Sequence, residues 1–256
     1  MRAISRAGRI RAMSKDPLLL RAQGAWLELA SVPVSFGMPG DVDVVVAPEA
    51  RICPRGWASI VLLGGAAIVA APTEAAADRI RKAVAEVPAD KLTDLVTIRS
   101  VLALGDVLGP ATLAYVAPGS FRPAEPAGLC VEEWSDGYGS LEGLVEAAGA
   151  NDADEAGLDE ISSPAFGIRV DGQVVAAAGY GHWPWLRPNR TAHMTVLTAP
   201  AWRGKGLARM TASAAVRHVL EQGLLPEWRA RTPAARRTAA ALGFTEHGSQ
   251  LSIELV

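Results

Sequence analysis

Residues 196–208 read VLTAPAWRGKGLA, passing from an apolar, β-branched segment through a turn with two glycines into an apolar helix. Gly204 and Gly206 let the backbone come close to a ligand, and the next helix begins with unpaired N–H groups at the positive end of its dipole. Arg203 and Lys205 add positive charge there. This arrangement predicts an anion site, and a pyrophosphate is its natural ligand.

The turn differs from two common phosphate-binding loops. It lacks the G-x-x-x-x-G-K-[ST] spacing of a Walker loop, and it lacks the third glycine and downstream acid of a dinucleotide fingerprint. A turn with two glycines is by itself more often structural than functional. The order of elements around it therefore has to support the prediction.

That order is regular from residue 166 onward. The pattern predicts two strands joined by an Asp-Gly hairpin turn, a third strand, a helix ended by glycine, a short strand, a helix that begins with proline, and a last strand. These segments are Phe166–Val170, Gln173–Tyr180, Thr191–Thr198, Leu207–Leu220, Trp228–Arg231, Pro233–Leu242 and Ser249–Val256.

Composition limits the class of protein. The 256 residues carry 25 Lys and Arg against 27 Asp and Glu, and half of them are hydrophobic, which excludes a disordered or collagen-like chain. A net charge of −2 argues against a nucleic-acid partner. Cys53 and Cys130 form no C-x-x-C pair, so we expect two reduced thiols and no metal.

Neither a signal peptide nor a membrane span is predicted. Residues 1–15 are basic and contain no acid, and Arg21 interrupts the short leucine run that follows them. The most apolar stretch, residues 60–72, is too short to cross a bilayer. We expect a cytoplasmic protein with no membrane partner and a disordered basic leader at 1–15.

A linker rich in Pro and Gly at 117–127 suggests two domains, at 16–122 and 123–256. The first is predicted to be mixed α/β, with strand-like segments at 41–46, 57–69 and 111–116. A helix is predicted from an N-cap at Thr73 to Val87. It shows no catalytic spacing, so we interpret it as a scaffold or a dimerisation region, which leaves a homodimer open.

Charge is unevenly distributed over the second domain. Residues 123–168 hold eleven acids and no Lys or Arg, whereas residues 187–237 hold ten bases and two acids, Glu221 and Glu227. The pattern fits either ordinary solvated faces or two ligands of opposite sign that meet in one cleft.

Residues 196–208 resemble the acetyl-CoA-binding motif of the GNAT superfamily of acyl-CoA N-acyltransferases. Residues 234–244, which end in Leu-Gly-Phe, look like the C-terminal helix and turn of that family. The resemblance covers residues 128–256 and implies an α/β (α+β) fold with a mixed central sheet flanked by helices. The N-terminal half then looks like a second, smaller α/β domain, either an added region or a degenerate copy of the same fold.

The resemblance implies acetyl-CoA as co-substrate, a small-molecule or peptide amine acceptor, and direct attack of the amine on the thioester. The acyl carbonyl would lie near the Leu197 amide. The implied cofactor-binding residues are Val196, Leu197, Thr198, Arg203, Gly204, Lys205, Gly206, Leu207 and Ala208.

Several positions depart from the family pattern. Ala239 stands where many members have a tyrosine that protonates the leaving thiolate, and Thr232 replaces a usual asparagine. On the splayed strand, Ala192 and Met194 occupy the positions of a frequent carboxylate or histidine. His193 is one step off, so alternation turns it to the other face unless a bulge intervenes.

The remaining catalytic candidates, Tyr180 and His182, lie two apart at the end of the preceding strand, and a histidine suits proton removal from an ammonium. Bulk water is the alternative base. For the acceptor, Trp183 and Trp185 can wall an amine pocket or cover the sheet end. The acidic and aromatic residues implied to attract a cationic amine are Glu132, Glu133, Trp134 and Asp136.

Two other functions stay open at this point. The missing tyrosine and strand carboxylate fit a non-catalytic acyl-CoA sensor. The arginines between 187 and 237 fit a nucleic-acid surface, which the acidic segment beside them disfavours.

Overall fold

The computed structural model describes residues 16–125, 128–135, 141–182 and 191–256, without the side chain of His182. The ten strands in these ranges form a single mixed sheet in the order β1-β3-β2-β10-β4-β9-β8-β7-β6-β5. They are β1 (Val42–Val46), β2 (Ala58–Leu63), β3 (Ala66–Ala71), β4 (Leu104–Tyr115), β5 (Glu132–Trp134), β6 (Ala165–Val170), β7 (Gln173–His182), β8 (Thr191–Thr198), β9 (Leu225–Ala230) and β10 (Thr245–Leu255).

Helices cover both faces of this sheet. Those in the described ranges are α1 (Pro17–Ala30), α2 (Glu74–Val84), α3 (Leu95–Val101), α4 (Glu142–Ala148), α5 (Ala150–Ala156), α6 (Leu207–Glu221) and α7 (Pro233–Ala241). The expectation of a mixed central sheet flanked by helices is confirmed. None of these helices has the length and apolar character needed to span a bilayer.

Local sequence signals explain several of the boundaries. The Asp171-Gly172 turn joins β6 to β7 with φ values of 50° and 80°, as a two-residue hairpin turn requires. Thr73 and Thr232 cap α2 and α7 by accepting backbone N–H bonds at 3.1 and 3.2 Å. Helix α2 ends at Val84 instead of Val87.

Two parts of the N-terminal half differ from the sequence expectation. The strand-like segment at 57–69 contains two strands. They are joined by a turn at Gly64 and Gly65, whose φ values are 62° and 85°. Strand β4 starts at Leu104 instead of residue 111. Glycines and a proline inside it, at 105, 109 and 110, weaken the strand signal.

Strand β10 lies between two strands of the N-terminal half. It pairs antiparallel with β2 on one side and with β4 on the other. The sheet therefore runs without a break across the linker at 117–127, and the division into domains at residue 122 stays a prediction.

The two faces of the sheet carry different helices. Helix α1 packs with Leu113 and Tyr115 of β4, whereas α6 and α7 share a cluster with Ala114. Because neighbouring strand residues point to opposite faces, α1 lies on one face and α6 and α7 lie on the other. Helix α4 packs against Ala177 and Leu197 of the C-terminal strands.

Candidate active site

Strands β8 and β9 separate partway along their length. They pair in parallel from Thr191 and Leu225 to His193 and Glu227, and the ladder ends there. A cavity of about 620 Å³, here called the groove, lies where they part. Strands β8 and β9, the turn before α6, helix α7 and part of α5 line it. We expected β8 to separate from its neighbour, and the hydrogen-bonded pairing of β8 with β9 ends at His193 and Glu227.

The glycine turn lies at one end of the groove. Gly204 and Gly206 have φ values of 77° and 79°, which only glycine adopts readily. Gly206 is the N-cap of α6, and no side chain of the described residues caps the first N–H groups of that 15-residue helix. An anion placed there would meet free backbone donors and the positive end of the helix dipole.

Eight of the nine residues implied to bind the cofactor line the groove: Val196, Leu197, Thr198, Arg203, Gly204, Gly206, Leu207 and Ala208. Lys205 is outside that lining in the described part of the chain, and its Nζ lies 4.1 Å from the centroid of the Trp202 ring. Arg203 donates from Nε to the Thr198 carbonyl at 3.1 Å and pairs with Asp152 at 2.5 Å, so its side chain braces the turn.

Backbone amides of β8 face the groove at alternate residues. Ala199 N–H donates to Val175 O of β7 at 3.0 Å, and the β7–β8 register shows no shift. Alternation then directs the Leu197 N–H to β7 and the N–H groups of Val196 and Thr198 towards the splay. This differs from the expectation that the Leu197 amide polarises the acyl carbonyl, because that donor belongs to the sheet.

The Thr198 hydroxyl is a buried polar atom in the groove lining. Oγ1 has no hydrogen-bond partner in the described part of the structure. A buried hydroxyl without a partner is costly, so this atom fits a site that a ligand with an oxygen or amide completes. Together, the hydroxyl, the splayed amides and the glycine turn suit the pantetheine and diphosphate of coenzyme A.

The positions that depart from the family pattern are placed as follows. Ala239 is buried in the core shared by α6 and α7, and its neighbour Thr238 faces the groove. Thr232 caps α7 and also lines the groove, as does Met194. Ala192 is fully buried. None of these side chains titrates near neutral pH.

His193 lies where the groove meets a second cavity of about 650 Å³, and it lines both. Its side chain is half-buried, and Arg229 Nε donates to its Nδ1 at 3.4 Å. Burial lowers the pKa of His193 well below 6.5, and the charges of Arg229 and Arg231 lower the pKa further. The imidazole is therefore neutral at physiological pH.

No bulge is needed to bring His193 to the site. The β7–β8 ladder is regular, so His193 and Met194 point to opposite faces as alternation predicts. Both nevertheless line the groove, because the groove passes between the separated strands and opens on either face. The sequence could not show this, since it depends on where β8 and β9 part.

The second cavity lies on the face of the sheet that also carries α1. The groove and this cavity share Glu155, Ala156, His193 and Arg229. The remaining lining residues are Arg51, Ile52, Cys53, Pro54, Leu108, Gly109, Ala111, Asp154, Gly157, Glu160, Ser162, Gly181, Arg231, Gln250 and Ser252. No local sequence pattern predicts this cavity, because its walls come from segments that are far apart in the chain.

Tyr180 is placed elsewhere. Its hydroxyl lies 3.0 Å from Nδ1 of His218 on α6, and the two ring centroids are 5.8 Å apart. It belongs to the core under α6 and is absent from the lining of both cavities as far as the structure describes them. Strand β7 ends at His182, whose side chain is outside the described part.

The predicted acceptor residues of β5 line neither of these two cavities in the described part of the structure. Glu132 accepts from Trp134 Nε1 at 2.9 Å and from Arg169 Nε at 3.1 Å, at the edge of the sheet. Glu133 lines a third cavity, beside α6. Asp136, Trp183 and Trp185 lie outside the described residues. Glu155 of α5 lines both cavities, as His193 does.

The thiol of Cys53 does not offer a nucleophile at neutral pH. Cys53 lines the second cavity, and burial raises the pKa of its thiol to about 11. Cys130 is exposed. A thiol that keeps its proton is a poor nucleophile, which agrees with transfer that forms no acyl-enzyme. Within the described ranges, no group of three His, Cys, Asp or Glu side chains is arranged to bind a metal ion.

One family model and several solved structures are similar to parts of this chain. Residues 165–249 match the family model described as GNAT acetyltransferase. A search of curated proteins finds no match. Among solved structures, a GNAT-family acetyltransferase described as putative, from Novosphingobium aromaticivorans, is 22% identical with a TM-score of 0.44, over 59% of this chain and 65% of its own.

Two further structures are similar to this chain. A GCN5-related N-acetyltransferase from Kribbella flavida is 20% identical with a TM-score of 0.43, over 58% of each chain. An aminoglycoside N-acetyltransferase in complex with CoA is 19% identical with a TM-score of 0.32, over 48% of this chain and 93% of its own. The matches to the first two structures span less than two thirds of their lengths.

At TM-scores below 0.5 these likenesses carry no argument, so the assignment rests on the family model. That model covers β6 to β8, the glycine turn, α6, β9, α7 and part of β10. Residues 165–249 therefore match a GNAT acetyltransferase domain, which is an acyltransferase domain, and a further α/β region precedes them.

Proposed function

We propose that the protein is an N-acetyltransferase that transfers an acetyl group from acetyl-CoA to a primary amine by direct attack. The observation that carries the proposal is the groove between β8 and β9, which joins the glycine turn at one end to a second cavity at His193. The groove suits the acyl donor and the second cavity suits the acceptor, and the neutral imidazole of His193 lies where the two cavities meet.

The chain's own groups have separate tasks in this proposal. The N–H groups at the start of α6 bind the diphosphate, and the N–H groups of Val196 and Thr198 donate to carbonyl oxygens along the splay. When bound, acetyl-CoA supplies the acetyl group as a thioester. Holding the amine and the thioester in adjoining cavities supplies the positioning that speeds the reaction.

The proton balance of the transfer is simple. The amine nitrogen forms a bond to the carbonyl carbon, the carbon–sulfur bond breaks, and the amine proton ends on the thiol of CoA. His193 takes that proton from the attacking amine and passes it to the departing thiolate of CoA, because a neutral imidazole has one electron pair that can accept a proton and then release it. Arg229 Nε donates to Nδ1 at 3.4 Å, so Nδ1 is the accepting nitrogen of the neutral ring, and taking the proton there breaks that long hydrogen bond.

The test is binding and transfer with the whole chain. We expect CoA and acetyl-CoA to bind in calorimetry, and thiol release from acetyl-CoA to depend on an added amine. Absence of binding would overturn the assignment of the groove. Binding without transfer to any amine in a broad panel would favour the acyl-CoA sensor and overturn the enzyme.

A further inference from the structure

A series of hydrogen bonds, here called the buried chain, links the N-terminal half to strand β9. Trp26 Nε1 of α1 donates to the Tyr115 hydroxyl of β4 at 2.7 Å, and that hydroxyl donates to Glu227 Oε1 at 3.1 Å. Each of these three residues is at most 1% exposed. Trp26 and Tyr115 lie outside the stretch that matches the family model, so the match does not account for the buried chain.

Glu227 lies between the buried chain and His193. In the sheet it is paired with Tyr115 on one side and with His193 on the other, and it is the last residue of β9 in the parallel ladder with β8. Paired residues of neighbouring strands point to the same face, so these three side chains lie on the face that carries α1. A carboxylate therefore stands at the point where β8 and β9 part.

Arg229 connects the buried chain to the imidazole. It lies two residues after Glu227, on the same face of β9, and its Cζ lies 6.0 Å from the centroid of the Trp26 ring. Burial raises the pKa of the Glu227 carboxyl and the positive charge of Arg229 lowers it, so the two charges attract each other. The Nε of Arg229 in turn donates to His193 Nδ1 at 3.4 Å.

This last contact determines which nitrogen of His193 carries the proton. A guanidinium only donates hydrogen bonds, so Nδ1 must accept, and the proton of the neutral ring is on Nε2. The free electron pair of the ring is then on Nδ1. Without such a donor, a neutral imidazole can carry its proton on either nitrogen.

We propose that the buried chain positions the Arg229 guanidinium against His193 and so fixes the tautomer of the imidazole. Trp26, Tyr115 and Glu227 are then positioning residues, and their part in proton transfer rests on the proposed function. When Nδ1 takes the proton, its bond to Arg229 breaks, and Glu227 remains to balance the guanidinium. A base with its electron pair on a fixed nitrogen meets the amine in one arrangement, which favours transfer.

The first measurement is the nitrogen NMR spectrum of the full-length protein with labelled histidine at neutral pH. The His193 signals are assigned by their loss in His193→Gln. We expect one neutral tautomer in the wild type, with Nδ1 unprotonated. Glu227→Gln keeps an acceptor for Tyr115 but removes the charge that attracts Arg229, so both tautomers should appear. Arg229→Met removes the donor and provides the reference for a ring without it. Identical His193 spectra in the wild type and Glu227→Gln would overturn the proposal.

The second measurement separates positioning from stability. Tyr115→Phe removes the hydroxyl that donates to Glu227, and we expect kcat to fall about tenfold in this variant and in Glu227→Gln, with the Kd of CoA unchanged. Leu29→Ala is the control, because Leu29 is buried in the same cluster on α1 and takes no part in the buried chain. It should lower Tm but keep kcat and the His193 tautomer. An equal fall of kcat in Leu29→Ala and Tyr115→Phe, measured well below Tm, would contradict the proposal.

Calorimetry with CoA and amine-dependent thiol release distinguish this proposal from the function on which it rests. If CoA binds and the wild type and Glu227→Gln acetylate amines equally well, the transferase stands and the positioning role is wrong. If Glu227→Gln changes the tautomer but the wild type acetylates no amine, the transferase fails and the positioning of Arg229 against His193 stands.

Discussion

Gly206→Ala tests the anion site in the groove, with Gly223→Ala as its matched control. The two glycines stand at opposite ends of α6, with φ values of 79° and 68°. A Cβ at Gly206 would lie 3.8 Å from Met210 Cε, and a Cβ at Gly223 would meet no atom of the described residues within 4 Å. Neither substitution creates a clash, so each costs only the strain of a left-handed alanine.

That strain is about 1–2 kcal/mol for either variant. In a protein of this size it lowers Tm by about 2–8 °C in the absence of ligand. The two variants differ in what the new methyl group meets. At Gly206 it enters the groove beside the N–H groups of the first turn, whereas Gly223 lies outside the described lining of the groove.

We expect Gly206→Ala to weaken CoA binding at least about tenfold, or about 1.4 kcal/mol, and Gly223→Ala to leave it unchanged. At a CoA concentration of 100 times the wild-type Kd, the wild type gains about 2.7 kcal/mol of stability and Gly206→Ala gains about 1.4 kcal/mol. Isothermal calorimetry gives the Kd, and thermal unfolding with and without CoA gives the stabilisation. Equal CoA affinity in the two variants would refute the reasoning.

Three further predictions concern titratable and buried polar groups. Removing a positive charge raises the pKa of His193, so Arg229→Gln should move the acid limb of kcat/KM to higher pH; an unmoved limb would argue against His193 as the base. Thr198→Val removes a buried hydroxyl that has no partner in the described structure, so it should raise the Tm of the free protein. The same change should weaken CoA binding several-fold. Unchanged CoA affinity in calorimetry would exclude a contact between this hydroxyl and the ligand. Burial raises the pKa of Glu227 above the 4.5 of a solvated carboxyl, so its ionisation destabilises the fold as pH rises through the raised value. Glu227→Gln should therefore gain more Tm at pH 8 than at pH 4, and a gain independent of pH would contradict the shift.

The Gln variant also keeps an acceptor for the buried chain around Glu227. Trp26 Nε1 donates to the Tyr115 hydroxyl at 2.7 Å, and that hydroxyl donates to Glu227 at 3.1 Å. A Gln oxygen can accept the Tyr115 bond in place of the carboxylate. The comparison therefore isolates the charge of Glu227 from its hydrogen bond.

Much of the C-terminal half could be predicted from short-range signals. The Asp171-Gly172 turn, the glycine turn before α6 and the Thr232 cap each depend on a few neighbouring residues. Similar signals were present but unused in the N-terminal half. Asp16 caps α1 with proline at its first position, and the buried Ala22, Ala25, Trp26 and Leu29 recur at helical spacing.

The second cavity could not be predicted in the same way. The family resemblance places the acceptor at Glu132, Glu133, Trp134 and Asp136, which stays a prediction, whereas the acids that line the second cavity lie further along, at 154–160. Arg51 joins them through pairing of strands that are far apart in sequence, and no local pattern encodes that pairing. The place where β8 and β9 part, which gives His193 its access, is likewise a property of the folded sheet.

The position of β10 has a consequence for how the molecule is made. Until residues 245–255 leave the ribosome, β2 and β4 both lack the strand that joins them, so a nascent chain carries two open edges. The N-terminal region is translated first but receives its central strand late. A fragment cut at the linker would separate β10 from β2 and β4, so dissecting this protein requires keeping that strand with the N-terminal region.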